Sequence, residues 1–165
     1  MEIPDRPYVA LYGTHDSDSA GRGGWRDAVV GRLHEYGINA FDPTDRKGWD
    51  PITEKNGDEQ QEEINRLVAR QHRALLGAAC VIHHLLGSVR GDPTTSHAAR
   101  AELAFLMGTQ IPTFFVIEPK IDGRNYLWAV AKLHPHLHRC SDVEQATTRA
   151  IEYMRTAHGA PAAPL

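Results

Sequence analysis

The sequence predicts an α/β fold: a single-domain, doubly wound sheet of about five mostly parallel strands with helices on both faces, of the flavodoxin/Rossmann-like kind. Three observations predict it. Short apolar runs such as "YVALYG" and "TFFVIE" alternate with longer segments of helical period, the pattern of strand–helix–strand units. The first of these runs is a short apolar one ending at glycine, the pattern of a buried strand of such a sheet. The chain of 165 residues is long enough for one complete core and short for two.

Tyr8 to Gly13 reads as the first strand, ending at a glycine. After the polar "THDSDSAGRGG", a helix is expected from about Trp25 to Tyr36, with Trp25, Ala28, Val29, Leu33 and Tyr36 on one face. "INAFDP" is the second strand, stopped by Pro43. A long polar connection over residues 44–58 has the length of a functional loop and leads to a helix from about Glu59 to Leu76. "ACVIHHLL" and "TFFVIE" are strands three and four, "LHRCS" a possible short fifth, and a helix from about Val143 to Thr156 closes the domain. Residues 1–156 are expected to form that domain and 157–165 a flexible tail. Ligands of such sheets bind beyond the carboxyl ends of the strands, so the loop after Gly13, the Asp42 end of strand two, residues 87–96 and the segment after Glu118 are expected to meet at one edge.

Composition narrows the function classes. Hydrophobic residues make up 41% and charged residues 24%, and no apolar run approaches a membrane span, which predicts a soluble, cytoplasmic protein. A net charge of −3 with no basic block leaves no footprint for a nucleic-acid polymer and favours a small-molecule ligand. Cys80 and Cys140 have no metal-ligand spacing and read as reduced structural thiols in strands. Of the ten histidines, His83 and His84 are adjacent on a strand and point to opposite faces. His134, His136 and His138 alternate and could share a strand face, but no carboxylate or cysteine completes a metal site, so neither metal nor cofactor is expected.

The reactive group is sought in "TTSHAARAELAFLMG". At 100° per residue from Ala98, Glu102 falls at roughly 40°, between Phe105 at about 340° and Leu106 at about 80°, with Arg100 and Met107 opposite. A carboxylate on an apolar stripe needs a partner, a ligand or a raised pKa. Two readings stand: a rim glutamate satisfied by Arg22 or Arg26, or a nucleophile of the kind that attacks an anomeric carbon. Ser96 is a natural N-cap for this helix, and its hydroxyl together with the first helical amides could also hold an anion. "DSDSAGRGGWR" has the glycines of a phosphate loop without either established phosphate-loop spacing, and no GxSxG elbow is present.

Together these residues resemble the nucleoside 2-deoxyribosyltransferase family and its relatives, the nucleoside 5'-monophosphate N-glycosidases, over most of the chain. "VALYG" stands at the family's first strand and glycine turn, and "GGWRDAVVGRLHEYGINAFDPT" resembles the opening of one branch. "ALLGAACVIHHL" is similar to its third strand, and "SHAARAELAFLMGTQIPTFFVIEP" to its S/D-x5-E-[LI]-G helix and the strand beyond. The resemblance implies that Glu102 is the nucleophile, that Ser96 contacts the substrate's phosphate or 5' end, and that Asn125 enters a neighbouring subunit's site, hence a homo-oligomer. His72 stands where the family carries a carboxylate that serves the leaving base, Cys80 replaces an aspartate and Ala104 a glycine. A histidine can act as a general acid near neutral pH, so His72 is the candidate for that role.

The expected activity is therefore cleavage of the N-glycosidic bond of a (2'-deoxy)nucleoside or nucleotide, with sugar transfer to another base. Glu102 and His72 carry the chemistry, and Gly13, Arg22, Trp25, Arg26, Asp42, Ser96 and Asn125 contact the substrate. The alternatives are a 5'-monophosphate N-glycosidase with water as acceptor and a non-catalytic nucleotide-binding module. A third is an NAD-cleaving enzyme of the kind that the helix-borne glutamate of TIR-type glycohydrolases represents.

Overall fold

A computed structural model of the protein describes residues 3–5, 7–14, 24–43, 57–86, 94–121 and 123–159, with the side chains of residues 94–98 outside the description. The elements run β1 (Tyr8–Gly13), α1 (Trp25–Glu35), β2 (Asn39–Phe41), α2 (Gly57–Gly77), β3 (Cys80–Leu85), α3 (Thr94–Met107), β4 (Thr113–Ile117), α4 (Arg124–Ala131), β5 (Leu137–Arg139) and α5 (Val143–His158). The five strands form one sheet in the order β2-β1-β3-β4-β5, and every pairing is parallel. The doubly wound α/β architecture is the expected one.

Period-two alternation assigns each strand residue to a layer. Val9 and Leu11 join Ile82, Phe114 and Val116 beneath α1 and α5, with Trp25, Val29, Leu33, Ala146, Ile151 and Met154 completing that core. Tyr8, Ala10 and Tyr12 point to the other face, where Ala74, Leu75 and Leu106 of α2 and α3 cover them. Leu85, Phe115 and Leu137 continue this second layer under Ala99, Leu103 and Ala131. Burial on both sides explains why β4 reads as an apolar run and why β3 is buried along its whole length, its two histidines included.

The two tyrosines of β1 dock the last turns of α2 by their hydroxyls: Tyr8 donates to the Ala74 carbonyl and Tyr12 to the Gln71 carbonyl, both at 2.6 Å. Each apolar ring thus fills the layer while its polar tip finds a buried acceptor. At the other end, Asp142 caps α5 by accepting from the Gln145 amide at 2.8 Å, and Gln145 accepts from the Ser141 amide at 2.8 Å.

Four expectations change. α4 is an extra helix within the segment after Glu118, an eight-residue element too short for periodicity to announce. α5 runs two residues past Thr156 to His158, where Gly159 closes it at φ 65°. Cys140 lies just beyond β5 rather than within a strand. The three alternating histidines do not share a face: His136 precedes β5 and reaches the Leu106 carbonyl at 3.0 Å, whereas His138 stacks on Phe114 in the opposite layer. Among the described residues no group of His, Cys, Asp and Glu could hold a metal ion, and no helix is long and apolar enough to cross a membrane.

Candidate active site

Parallel strands put Gly13, Phe41, Leu85, Ile117 and Arg139, the last residues of their strands, at one edge of the sheet. β1 and β3 are neighbours there, yet the chain leaves β1 toward α1 on one face and β3 toward α3 on the other. The crevice between diverging connections is where open α/β sheets take ligands.

Gly13 shapes that crevice. Its φ of +111° is a conformation L side chains rarely adopt, and a Cβ there would lie 2.1 Å from the His84 carbonyl oxygen. Only glycine permits this approach. The turn lets Thr14 donate its amide to the same His84 carbonyl at 2.9 Å, while the Thr14 hydroxyl accepts from the Leu86 amide at 3.1 Å. It also leaves the Gly13 N–H free to donate to Glu102 Oε2 at 2.9 Å.

Glu102 approaches from α3. Ala99, Leu103 and Leu106 are buried, whereas Phe105 is 38% exposed, so the apolar stripe is centred away from Phe105. The stripe centre falls at roughly 110° and Glu102 at roughly 40°, which puts the carboxylate on the stripe's rim and not in its middle. About a third of the side chain, 33%, remains open. Burial pushes its pKa up from 4.5 to about 7, against the opposing pull of the Gly13 N–H and the Arg26 charge. Near neutrality the group is divided between acid and carboxylate, the condition of a tuned reactive group.

Arg26, one of the two arginines considered for Glu102, acts on it through its charge while its own bonds go elsewhere. Arg26 is buried and donates through Nη2 to the Gly13 carbonyl at 2.7 Å, with its Nε 3.6 Å from Asp42 Oδ1. Glu102 and Arg26 therefore hold the two polar groups of one glycine. Trp25 stands beside Arg26, donating its indole N–H to the Thr14 carbonyl at 3.1 Å with its ring edge-on to His84. At 9% exposure it supports the strand end from the α1 layer.

His83 is the neighbour that sequence reading set aside as structural. Its Nε2 lies 3.8 Å from Glu102 Oε2 and 2.9 Å from the Ala99 carbonyl. A carbonyl can only accept, so Nε2 carries the proton and the imidazole is neutral. Complete burial lowers its pKa to about 3, which keeps it so at neutral pH. His84, on the opposite face as expected, contacts Glu118 at 3.1 Å. Tyr12, whose phenol burial raises beyond its ordinary range, adds a neutral wall.

His72 is exposed and stacks on Phe105 at 5.2 Å, a residue one helical turn beyond Glu102. Among the described residues no hydrogen bond or ion pair joins His72 to Glu102. Gln71, the half-buried neighbour of His72, donates to the Pro43 carbonyl, just beyond β2, at 3.2 Å. Its spacing of four from both Leu67 and Leu75, two of the three buried residues of α2, was the available signal. Ser96 is the third residue of α3, which begins at Thr94, so the expected N-cap lies inside the helix. Arg22 lies outside the described residues, as does the Ser96 side chain. Asn125 is exposed on the first turn of α4. The structure thus brings together Gly13, Trp25, Arg26, Asp42 and Glu102. No family model matches this sequence, and no curated protein matches it.

Proposed function

We propose that this protein cleaves the N-glycosidic bond of a (2'-deoxy)nucleoside or nucleotide and transfers the sugar to another base. The observation that carries the reading is the Glu102 carboxylate, held at the switch point by the Gly13 N–H at 2.9 Å with a pKa near 7. In its ionised form one carboxylate oxygen attacks the anomeric carbon. The bond from that carbon to the base nitrogen breaks, its electron pair stays on the base, and the base takes up a proton. The resulting glycosyl ester is resolved by a second base, whose nitrogen displaces the Glu102 carboxylate and gives up its proton to the group that protonated the first. The stacked pair of His72 and exposed Phe105 offers a flat rim for a base one turn from the nucleophile, and His72 is the proton donor in this reading. By the resemblance, Asn125 reaches a neighbouring copy's site in a homo-oligomer.

A second reading keeps the same first step and uses water as acceptor, making the protein a 5'-monophosphate N-glycosidase. Arg26 beside the crevice and the amino end of α3 favour a phosphate-bearing substrate. The non-catalytic nucleotide-binding reading draws on one observation: His83, the described histidine nearest Glu102, spends its proton on the Ala99 carbonyl.

Incubation with nucleosides, 2'-deoxynucleosides, their monophosphates and NAD, with and without an acceptor base, tests these readings. Exchange of bases supports the transferase, and release of base without acceptor supports the hydrolase. Nucleotide binding without turnover identifies the sensor. Glu102→Ala removes turnover while the protein stays folded; retained turnover removes Glu102 as nucleophile.

A further inference from the structure

A second cationic constellation occupies the same edge of the sheet, on the far side of β3 from Gly13. Trp128 of α4 has the Arg124 guanidinium carbon 3.7 Å from its ring centroid and that of Arg139 at 3.4 Å. Two guanidiniums so close to one ring cannot share a face, so they lie on opposite faces, roughly 7 Å apart across the indole. Arg124 is anchored by its Nε, which donates to the Ile117 carbonyl at 3.1 Å at the end of β4. Arg139 is the last residue of β5, and its carbonyl accepts from Arg149 Nη1 at 3.1 Å, which brings a third cation close.

Like charges are gathered here. Among the described residues, neither Arg124 nor Arg139 pairs with a carboxylate; Glu118, the nearest acid along β4, is engaged by His84. The Trp128 indole N–H is shielded from solvent and has no acceptor among them. Stacking occupies the π face of each guanidinium and leaves its in-plane Nη donors available for an oxyanion.

We infer that Arg124 and Arg139, spaced by Trp128, form a clamp for the phosphate group of a small phosphorylated compound. A phosphate monoester carries close to two negative charges at neutral pH, matching the two guanidiniums, and accepts charge-assisted hydrogen bonds from their N–H donors. A chain with net charge −3 and no basic block does not suit a polyanionic polymer, so the ligand is a small molecule. The clamp does not depend on the glycosidic reading, since it shares no residue with the Glu102 crevice.

The test follows the three tryptophan indole N–H signals of the 15N-labelled full chain during titration at constant ionic strength, with Trp128→Phe assigning the signal of interest. The probes are inorganic phosphate, ribose 5-phosphate and a nucleoside 5'-monophosphate, with ribose and the free nucleoside as uncharged controls. The Trp128 signal should move saturably with all three phosphate compounds at millimolar concentrations and with neither control. Arg139→Gln, a change at an exposed position, should raise the half-saturation concentration by about tenfold or more, with Arg139→Lys also impaired because it lacks the planar fork. Absence of saturation overturns the clamp, as does a shift that Arg139→Gln leaves unchanged or that the uncharged nucleoside reproduces.

Discussion

Gly13 and Glu102 are 89 positions apart in sequence and joined by a 2.9 Å hydrogen bond, from the glycine's amide to the glutamate's carboxylate. The bond ties the end of β1 to the middle of α3 across the crevice. Beside that bond, glycine at φ +111° lets the chain turn against the His84 carbonyl as it leaves β1. Arg26 takes the carbonyl of the same glycine, so a nucleophile candidate and a buried cation share one backbone anchor.

Gly13→Ala is expected to be among the most damaging single substitutions in the protein. The added Cβ would sit 2.1 Å from the backbone oxygen of His84 at a disfavoured φ, and the strand pair must shift to relieve it. A loss of about 3 kcal/mol or more is expected in urea unfolding. Gly31→Ala, with nothing within 4 Å of the new methyl in α1, should instead stabilise by ~0.5–1 kcal/mol.

Glu102→Gln should stabilise the fold at alkaline pH. Between about 4.5 and 7 the folded state holds a proton that the unfolded chain has released, so the parent's stability falls as pH rises through that window. With a third of the side chain in water, screening reduces the effect to roughly 1–2 kcal/mol above pH 7. His83 works in the opposite sense, since its lowered pKa costs stability as pH falls from 6.5 toward about 3. Subtracting the parent's pH–stability curve from the variant's removes that contribution. A difference that stays flat from pH 4.5 to 8 would contradict the raised pKa of Glu102.

Turnover should rise with pH through about 7 and level off once Glu102 is ionised. Arg26 lowers the Glu102 pKa through its charge, so Arg26→Gln should move the inflection to higher pH. An inflection unchanged in that variant, measured on kcat/KM, would mean another group governs the profile.

His72→Ala removes an exposed ring stacked on Phe105, so its stability cost should stay below about 1 kcal/mol. If His72 protonates the leaving base, kcat should fall by about 100-fold, more for poor leaving bases than for good ones. Equal rates for parent and variant with purine and pyrimidine substrates alike would assign the proton to another donor.

Much of this arrangement was legible before any coordinates. Mainly apolar runs alternating with helical periods suffice to read a parallel sheet, because burial on both faces leaves strands little polar side. Glu102 was legible as an acid that apolar neighbours did not explain, and Gly13 as a strand-ending glycine. The α4 helix was not, since two turns carry too little periodicity. The difference between Gln71 and His72 rests on one helical step of 100°, and only the spacing from Leu67 and Leu75 favoured Gln71.

Three features belonged to the tertiary structure alone. Phe105 stands partly in solvent, so the apolar stripe of α3 turns away from it and leaves Glu102 on an open rim. His83 comes within 3.8 Å of that carboxylate only because β3 runs beneath α3. Arg26 and Glu102 divide Gly13 between them because strand order puts β1 beside β3 while their connections leave on opposite faces. Local pattern determines which residues want burial and in what period. Only the crossing of elements distant in sequence decides which polar groups meet, and a carboxylate's pKa depends on that meeting.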